Sequence, residues 1–219
     1  MQQLKLVIFD LDGTLLNTLS DLAFSANHVL EKSGFPVHPI EVYKYFIGNG
    51  LDIFIERILP ENQKTAQNLA LFRDSFLSHY NAHIADFTEP YKGIPGLLKA
   101  LSSKGLKLAV ASNKHQQATE KLIRTLLPGI SFIAVLGQRE GIPAKPNPAI
   151  VQEILTIADL SPEEAVYIGD SDVDMLTASN SDVCSIGVTW GYRPREELEA
   201  AGAHFIARSP DEILEIITG

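Results

Sequence analysis

Four short segments of this 219-residue chain carry residue types that can do chemistry together. The first is Asp10-Leu11-Asp12-Gly13-Thr14, which follows an apolar run from Leu4 to Phe9. On an extended chain residues two apart point the same way, so Asp10 and Asp12 can face one spot at a strand tip. Gly13 permits a sharp turn there. Taken alone, the same residues would also serve as a helix N-cap on a surface loop. The second segment is Ser112-Asn113-Lys114, after the strand-like Leu106 to Ala111. It offers a hydroxyl, an amide and a cation where the N–H groups of a starting helix would meet an anion. The third is Ala144-Lys145-Pro146-Asn147-Pro148. Pro146 restricts Lys145 to an extended backbone, and Pro148 suits the first turn of a following helix. The fourth is Gly169-Asp170-Ser171-Asp172-Val173-Asp174, after the apolar Ala165 to Ile168. It lacks the Gly at the sixth position and the Glu at the twelfth that a calcium-binding EF-hand loop needs.

Asp10, Asp12, Asp170 and Asp174 thus belong at two strand tips. Two like charges about 4 Å apart repel by about 4 kcal/mol at an effective dielectric near ~20. A cluster of several therefore needs a cation. A donor set made only of oxygen, with few protein carboxylates, suits Mg²⁺, which keeps waters and shares a substrate phosphate. Lys145 would offset the remaining negative charge. A metal, a lysine and a hydroxyl around one carboxylate make a site for phosphoryl transfer. The six histidines show no zinc-ligand spacing. His79 and His83, four apart on a predicted helix, read as a solvated face.

The elements that must position these groups alternate from Gly93 onward. Helical patterns run over Ile94 to Lys104, Gln116 to Leu127, Pro148 to Ala158, Asp172 to Asn180, Arg195 to Ala201 and Asp211 to Ile217. Strand patterns lie between them at Leu106 to Ala111, Phe132 to Leu136, Ala165 to Ile168 and Val183 to Val188. Such alternation predicts an α/β fold with a parallel, doubly wound sheet. Ligands of such sheets bind beyond the carboxyl ends of the strands, where strand order reverses. From Leu15 to about Ala85 the pattern is helical throughout, with Leu19, Leu22, Ala23, Ala26, Val29 and Leu30 at helical spacing. Helices are expected at Ile40 to Phe46, Leu51 to Leu59 and Asn62 to about His83. Between the first two lies Ile47-Gly48-Asn49-Gly50, a Gly-rich turn before a helix. It reads either as a plain connector or as N–H groups aimed at a substrate.

Composition narrows the class. The chain has 45% hydrophobic residues, enough for one sizeable core plus a small accessory unit. With 18 basic against 27 acidic residues the net charge is −9, which argues against a nucleic-acid partner. The single Cys184 sits in a strand-like run and reads as a buried core thiol. No signal-peptide pattern opens the chain, and no apolar run approaches a membrane span. The expectation is a soluble cytoplasmic protein; its oligomeric state is not written in the sequence.

The four segments, in this order and each at the end of a predicted strand, resemble the four motifs of the haloacid dehalogenase superfamily. The resemblance spans most of the chain. It implies a Rossmann-like core over residues 1–14 and 88–219, with an α-helical cap over 15–87 inserted after the first strand. The two crossings would then act as a hinge pair. Ile47-Gly48-Asn49-Gly50, with Leu51-Asp52 and Glu56-Arg57, and also Thr189-Trp190-Gly191-Tyr192, are similar to bacterial phosphoglycolate phosphatases. Asn17-Thr18 departs from that group, which carries Asp-Ser there. The resemblance implies a Mg²⁺-dependent hydrolase of a small phosphorylated metabolite. Asp10 would be the nucleophile and Asp12 the general acid and base. Asp10, Asp12 through its main-chain oxygen, and Asp170 would hold the metal, and Asp174 would position Lys145 or a metal-bound water. Ser112, Asn113 and Lys145 would hold the transferring oxygens, and Gly13 and Thr14 would complete the loop. Lys114 would meet a second anionic group, and Gly48, Asn49 and Gly50 would contact substrate from the cap. The same motifs serve sugar-phosphate mutases and inorganic pyrophosphatases; dehalogenases, which need neither metal nor acid, and a non-catalytic binding module fit less well.

Overall fold

The computed structural model describes residues 4–219. In chain order its elements are β1 (Leu6–Phe9), β2 (Leu16–Asn17), α1 (Leu19–Lys32), α2 (Leu51–Ile58), α3 (Ala66–Ala82), β3 (Glu89–Pro90), α4 (Ile94–Ser103), β4 (Lys107–His115) and α5 (Gln116–Leu126). Then follow β5 (Ala134–Gln138), α6 (Ala149–Ala158), β6 (Ala165–Gly169), α7 (Asp172–Asn180), β7 (Cys184–Val188), α8 (Arg195–Ala200), β8 (Phe205–Ala207) and α9 (Pro210–Thr218). Single 3₁₀ segments lie at Ile40–Tyr45, Glu61–Gln63 and Pro162–Glu164.

Six strands form one parallel sheet in the order β5-β4-β1-β6-β7-β8. β1 is central because it can be buried on both faces. Val7 and Phe9 join the apolar layer that holds Leu97, Leu98 and Leu101 of α4 and Ile213 and Ile217 of α9. Leu6 and Ile8 join the opposite layer, with Ile150, Val151 and Ile154 of α6. The period of two along a strand makes that division. A strand covered on both sides has no polar face to signal, so it reads as an unbroken apolar run. β1 pairs with β4 on one side and β6 on the other. The three carboxyl ends nearest the centre of the sheet therefore deliver the first, second and fourth sequence segments to one place.

The chain leaves this sheet after β1 and returns at α4. The two crossings pair as an antiparallel ribbon, Leu16 opposite Pro90 and Asn17 opposite Glu89. Between them α1, α2 and α3 pack on an aromatic interior that includes Tyr43, Phe54, Phe72, Phe76 and Tyr80. The Phe54 and Phe76 rings lie 5.1 Å apart, and Phe76 stacks on Tyr80 at 5.4 Å. Asp21 of α1 ties down the returning chain by accepting from Phe87 N–H, Thr88 N–H and the Thr88 hydroxyl.

Some local expectations change. α3 starts at Ala66 rather than Asn62, because Thr65 caps it by accepting from Asn68 N–H. β4 continues through Ser112-Asn113-Lys114 to His115, with a register shift between Ala111 and His115. Those residues belong to an irregular strand end, not to the opening of a helix. β8 was not predicted. Cys184 is half-buried rather than buried. Of the two histidines read as a solvated face, His83 is exposed, whereas His79 is half-buried: its ring stacks between His28 and His83 at 4.0 and 4.4 Å, and its Nδ1 shares a hydrogen bond with Ser25 Oγ. Among the described residues no helix is long and apolar enough to cross a membrane.

Candidate active site

The centre of the site is an ammonium group among carboxylates. Lys145 is 4% exposed. Its Nζ donates to Asp174 Oδ1 at 2.7 Å, Tyr167 Oη at 2.9 Å and the Ala111 carbonyl at 3.1 Å. Three bonds use all the protons of an ammonium group. Asp10 Oδ1 also lies 2.9 Å from Nζ, as an ion pair outside good hydrogen-bond geometry. Burial and the nearby Asp174 push the Asp10 carboxyl up to about 7, with Lys145 pulling the other way. Burial opposes the charge on Lys145, yet Asp10 and Asp174 outweigh it and hold the ammonium's pKa well above its ordinary value.

Asp170 sits one residue past β6 and is 1% exposed. Its Oδ1 accepts from Thr14 Oγ1 at 2.9 Å and its Oδ2 from Tyr192 N–H at 2.7 Å. Burial raises its pKa well above the carboxylate range, and Asp174 and Asp10 add to the shift. Two glycines make room for it. A Cβ on Gly13 would lie 2.3 Å from Asp170 Oδ2, and one on Gly191 2.3 Å from Asp170 Cβ. Gly13 also has φ +84°, which L side chains rarely adopt. Gly13 and Thr14 thus stand behind Asp170 and do not line the cavity described below.

Asp174 lies inside α7, which begins at Asp172, so the four-residue spacing from Asp170, which would put the two on one helix face if a helix began at Asp170, does not do so. It is the third residue of that helix and closes a capping box: its Oδ2 accepts from both the N–H and the hydroxyl of Ser171. Its Oδ1 accepts from Lys145 and lies 3.3 Å from Tyr167 Oη. The Tyr167 hydroxyl has one proton and a nearer acceptor in the Ala111 carbonyl at 2.9 Å, so Lys145 and the two groups of Ser171 are the donors that occupy Asp174. Asp10, Asp170 and Asp174 each offer an oxygen, all within 4.8 Å of one another. The orphaned Asp10 oxygen, the mutual elevation of buried carboxyls and the all-oxygen donor set fit a hard divalent cation. Asp10 and Asp170 have free lone pairs for it. Asp174 is already engaged in orienting Lys145.

Asp12 faces the same cavity as Asp10 but is held from another side. Its carboxylate accepts from Lys114 Nζ at 2.9 and 3.1 Å and from Thr18 Oγ1 at 2.6 Å. The Thr18 hydroxyl in turn meets Tyr192 Oη at 3.0 Å. The cavity, of about 80 Å³, lies between the strand ends and the helical segment. Gly48 and Gly50 line it, whereas Asn49 does not. The Asn49 side chain accepts from Arg57 Nη1 at 2.8 Å instead. Ser112 lines the cavity, with its Oγ accepting from Lys114 N–H at 3.2 Å. Asn113 also lines it, but its amide acts as a joint. Nδ2 donates to the carbonyls of Gly48 and Lys145, and Oδ1 accepts from Lys145 N–H.

Four residues at this site were not picked out as site residues from the sequence. Tyr167 contacts Lys145, and Tyr192 contacts Asp170 and Thr18. Arg193 donates to the carbonyls of Lys44 and Ile47, gripping the turn before Gly48. Tyr80 lines the cavity beside Lys114. The signal for Tyr192 and Arg193 was their place just beyond β7. Tyr167 and Tyr80 gave none, since an aromatic in an apolar run reads as core.

The family model for haloacid dehalogenase-like hydrolases matches residues 7–188. The phosphoglycolate phosphatase of Vibrio vulnificus is 33% identical over 99% of this chain and 97% of its own length. That of Aquifex aeolicus is 31% identical over 98% and 97%. The crystal structure of a predicted phosphoglycolate phosphatase from Haemophilus somnus superposes with a TM-score of 0.91 at 29% identity, covering 99% of each chain.

Proposed function

The chain belongs to the haloacid dehalogenase-like hydrolases and is a phosphoric monoester hydrolase; from that premise we propose that it hydrolyses 2-phosphoglycolate, with Mg²⁺, through an aspartyl-phosphate on Asp10. The observation that carries the mechanism is the orphaned Asp10 oxygen beside Lys145 and Asp170. The substrate rests on near full-length likeness to relatives named for that activity.

Asp10 attacks phosphorus and the ester P–O bond breaks; carboxylates are known nucleophiles of this kind. Asp12 gives its proton to the departing alkoxide. It then takes a proton from water, which attacks phosphorus and breaks the bond to Asp10, releasing phosphate. Asp10, Asp170 and the main-chain oxygen of Asp12 would hold the metal, which supplies positive charge against the phosphoryl oxygens when bound. Lys145 supplies the second positive charge, aimed by Asp174 and Tyr167. The Ser112 hydroxyl donates to a phosphoryl oxygen. Residues 15–87 act as a cap whose Gly48–Gly50 turn closes over the ester, and Asn113 links that turn to Lys145.

The test is phosphate release from a panel of 2-phosphoglycolate, sugar phosphates and pyrophosphate, with Mg²⁺ and with chelator. The expected result is metal-dependent turnover with 2-phosphoglycolate preferred, abolished in Asp10→Asn while the fold survives. Turnover of Asp10→Asn within a few-fold of the parent would remove the nucleophile, and preference for pyrophosphate would remove the substrate.

A further inference from the structure

Among the described residues lining the cavity, two carry a buried polar atom with nothing to bind: Asp10, already described, and Tyr80. Tyr80, on α3, is 3% exposed, and its hydroxyl has no hydrogen-bond partner. An unpaired buried hydroxyl is costly, and natural interiors rarely keep one without a use. Burial pushes its phenol up to about 12, so it stays a donor at neutral pH. Beside it, Lys114 Nζ lies 4.9 Å from the centre of the Tyr80 ring. Among the described cations lining the cavity, Lys114 is the one whose ammonium keeps a free proton. Lys145 uses its three protons on Asp174, Tyr167 and Ala111. Arg193 spends three of its five N–H donors on the Lys44 and Ile47 carbonyls and on Glu197, which fixes its guanidinium against the turn. Lys114 binds Asp12 alone among side chains, so one of its three protons remains for a ligand. The surrounding wall is apolar, formed by Leu22, Phe54, Phe76 and Leu77.

We propose that Tyr80 Oη and Lys114 Nζ form the subsite for the carboxylate of the leaving group, and that this pair selects phosphate esters ending in a carboxylate. Two donors, one charged, suit a planar two-oxygen anion. The apolar wall offers nothing to the hydroxyls of a sugar, so a sugar phosphate would leave them unpaired there. Tyr80 comes from the helical segment and Lys114 from the sheet. The carboxylate therefore bridges the two layers, and its binding draws them together over the reacting phosphorus. The inference rests on the 2-phosphoglycolate reading and names the residues that enforce it.

The experiment compares 2-phosphoglycolate with ethyl phosphate, in which a methyl group replaces the carboxylate, for the parent and Tyr80→Phe. The parent is expected to favour 2-phosphoglycolate. Tyr80→Phe should raise KM for 2-phosphoglycolate about tenfold, the loss of one charge-assisted hydrogen bond. It should leave kcat/KM for ethyl phosphate within about twofold. Its melting temperature should not fall, because the deleted hydroxyl bonds nothing in the free protein. Lys114→Gln should erase the preference between the two esters. If Tyr80→Phe slows both esters alike, or neither, the subsite is wrong while the substrate stands. If the parent does not favour 2-phosphoglycolate over ethyl phosphate, the substrate reading itself is wrong, and the subsite falls with it.

Discussion

Replacing Lys145 by Met removes one charge and little volume, so its effect isolates the electrostatics of the site. The ammonium lies 2.7 Å from Asp174 Oδ1 and 2.9 Å from Asp10 Oδ1, and Asp174 is fully buried. Removing one partner of a buried pair costs about 3–5 kcal/mol, because the other charge stays buried without compensation. For a protein of this size that is a fall in melting temperature of about 6–20 °C. The penalty should depend on pH in a definite direction. Folded Asp10 has a pKa of about 7, above the ordinary carboxyl value of 3.8. Between those values the folded state holds a proton that the unfolded state releases. Metal-free stability therefore falls as pH rises through that window. Lys145 is among the groups that pull the Asp10 value down, so its loss extends the window upward. Lys145→Met should lose most at pH 8 without metal, and less near pH 5.5, where Asp10 is protonated in both proteins. Thermal unfolding followed by circular dichroism, in chelator and in Mg²⁺, reads all four corners. Mg²⁺ should recover part of the loss at pH 8. Turnover should fall about 10²–10³-fold, as for the loss of one preorganised charge. An equal loss of stability at both pH values would mean that packing, not charge, sets the cost, and no loss at all would refute the reading of a buried ion pair.

Two other perturbations test the metal end of the site. Because Asp10 must give up its proton to ligate, metal affinity should tighten as pH rises through about 7; titration calorimetry in Mg²⁺ that finds affinity flat from pH 6 to 8 would remove Asp10 from the ligand set. Gly13→Ala puts a Cβ 2.3 Å from Asp170 Oδ2, at a φ of +84°, so Mg²⁺ binding and turnover should collapse while circular dichroism stays native. Unchanged affinity in that variant would show that Asp170 can move without loss.

The fold was legible where burial is one- or two-sided and long enough to leave a pattern. β1 and β6 are apolar throughout because helices cover both faces of the sheet, and the helix–strand alternation follows from that cover. What escaped had no pattern to read. β2 and β3 are two residues each, and they exist because the two crossings must run side by side. β8 is three residues at the sheet edge, and its Phe205 is 42% exposed. β4 was cut short at Ala111, because Ser-Asn-Lys looks like the end of a strand. It continues because His115 finds a partner in Gln138 across the register shift, a contact from outside the segment.

The site was legible as residue types and much less so as directions. Asp10, Lys145 and Asp170 stand out because like charges at adjacent strand tips demand compensation. Composition cannot say which lone pairs remain. Asp170 keeps some; Asp174 has committed both of its oxygens, one to Lys145 and the other to Ser171. Nor can it separate Asn49, turned away onto Arg57, from Gly48 and Gly50 on either side. The tyrosines make the same point. In sequence Tyr80 and Tyr167 are apolar bodies at core spacing, and the ring is what the pattern registers. Their hydroxyls are sorted only by tertiary neighbours: one is bonded to Lys145, the other left without a partner at the cavity wall. Asn113 shows what such sorting produces. Its amide binds the Lys145 backbone on both sides and the Gly48 carbonyl of the helical segment. A shift of the Gly48 turn therefore loosens the same group that fixes the lysine. Placement of the helical segment and placement of the positive charge become one constraint, set by a residue that the sequence offers only as a polar contact for phosphate.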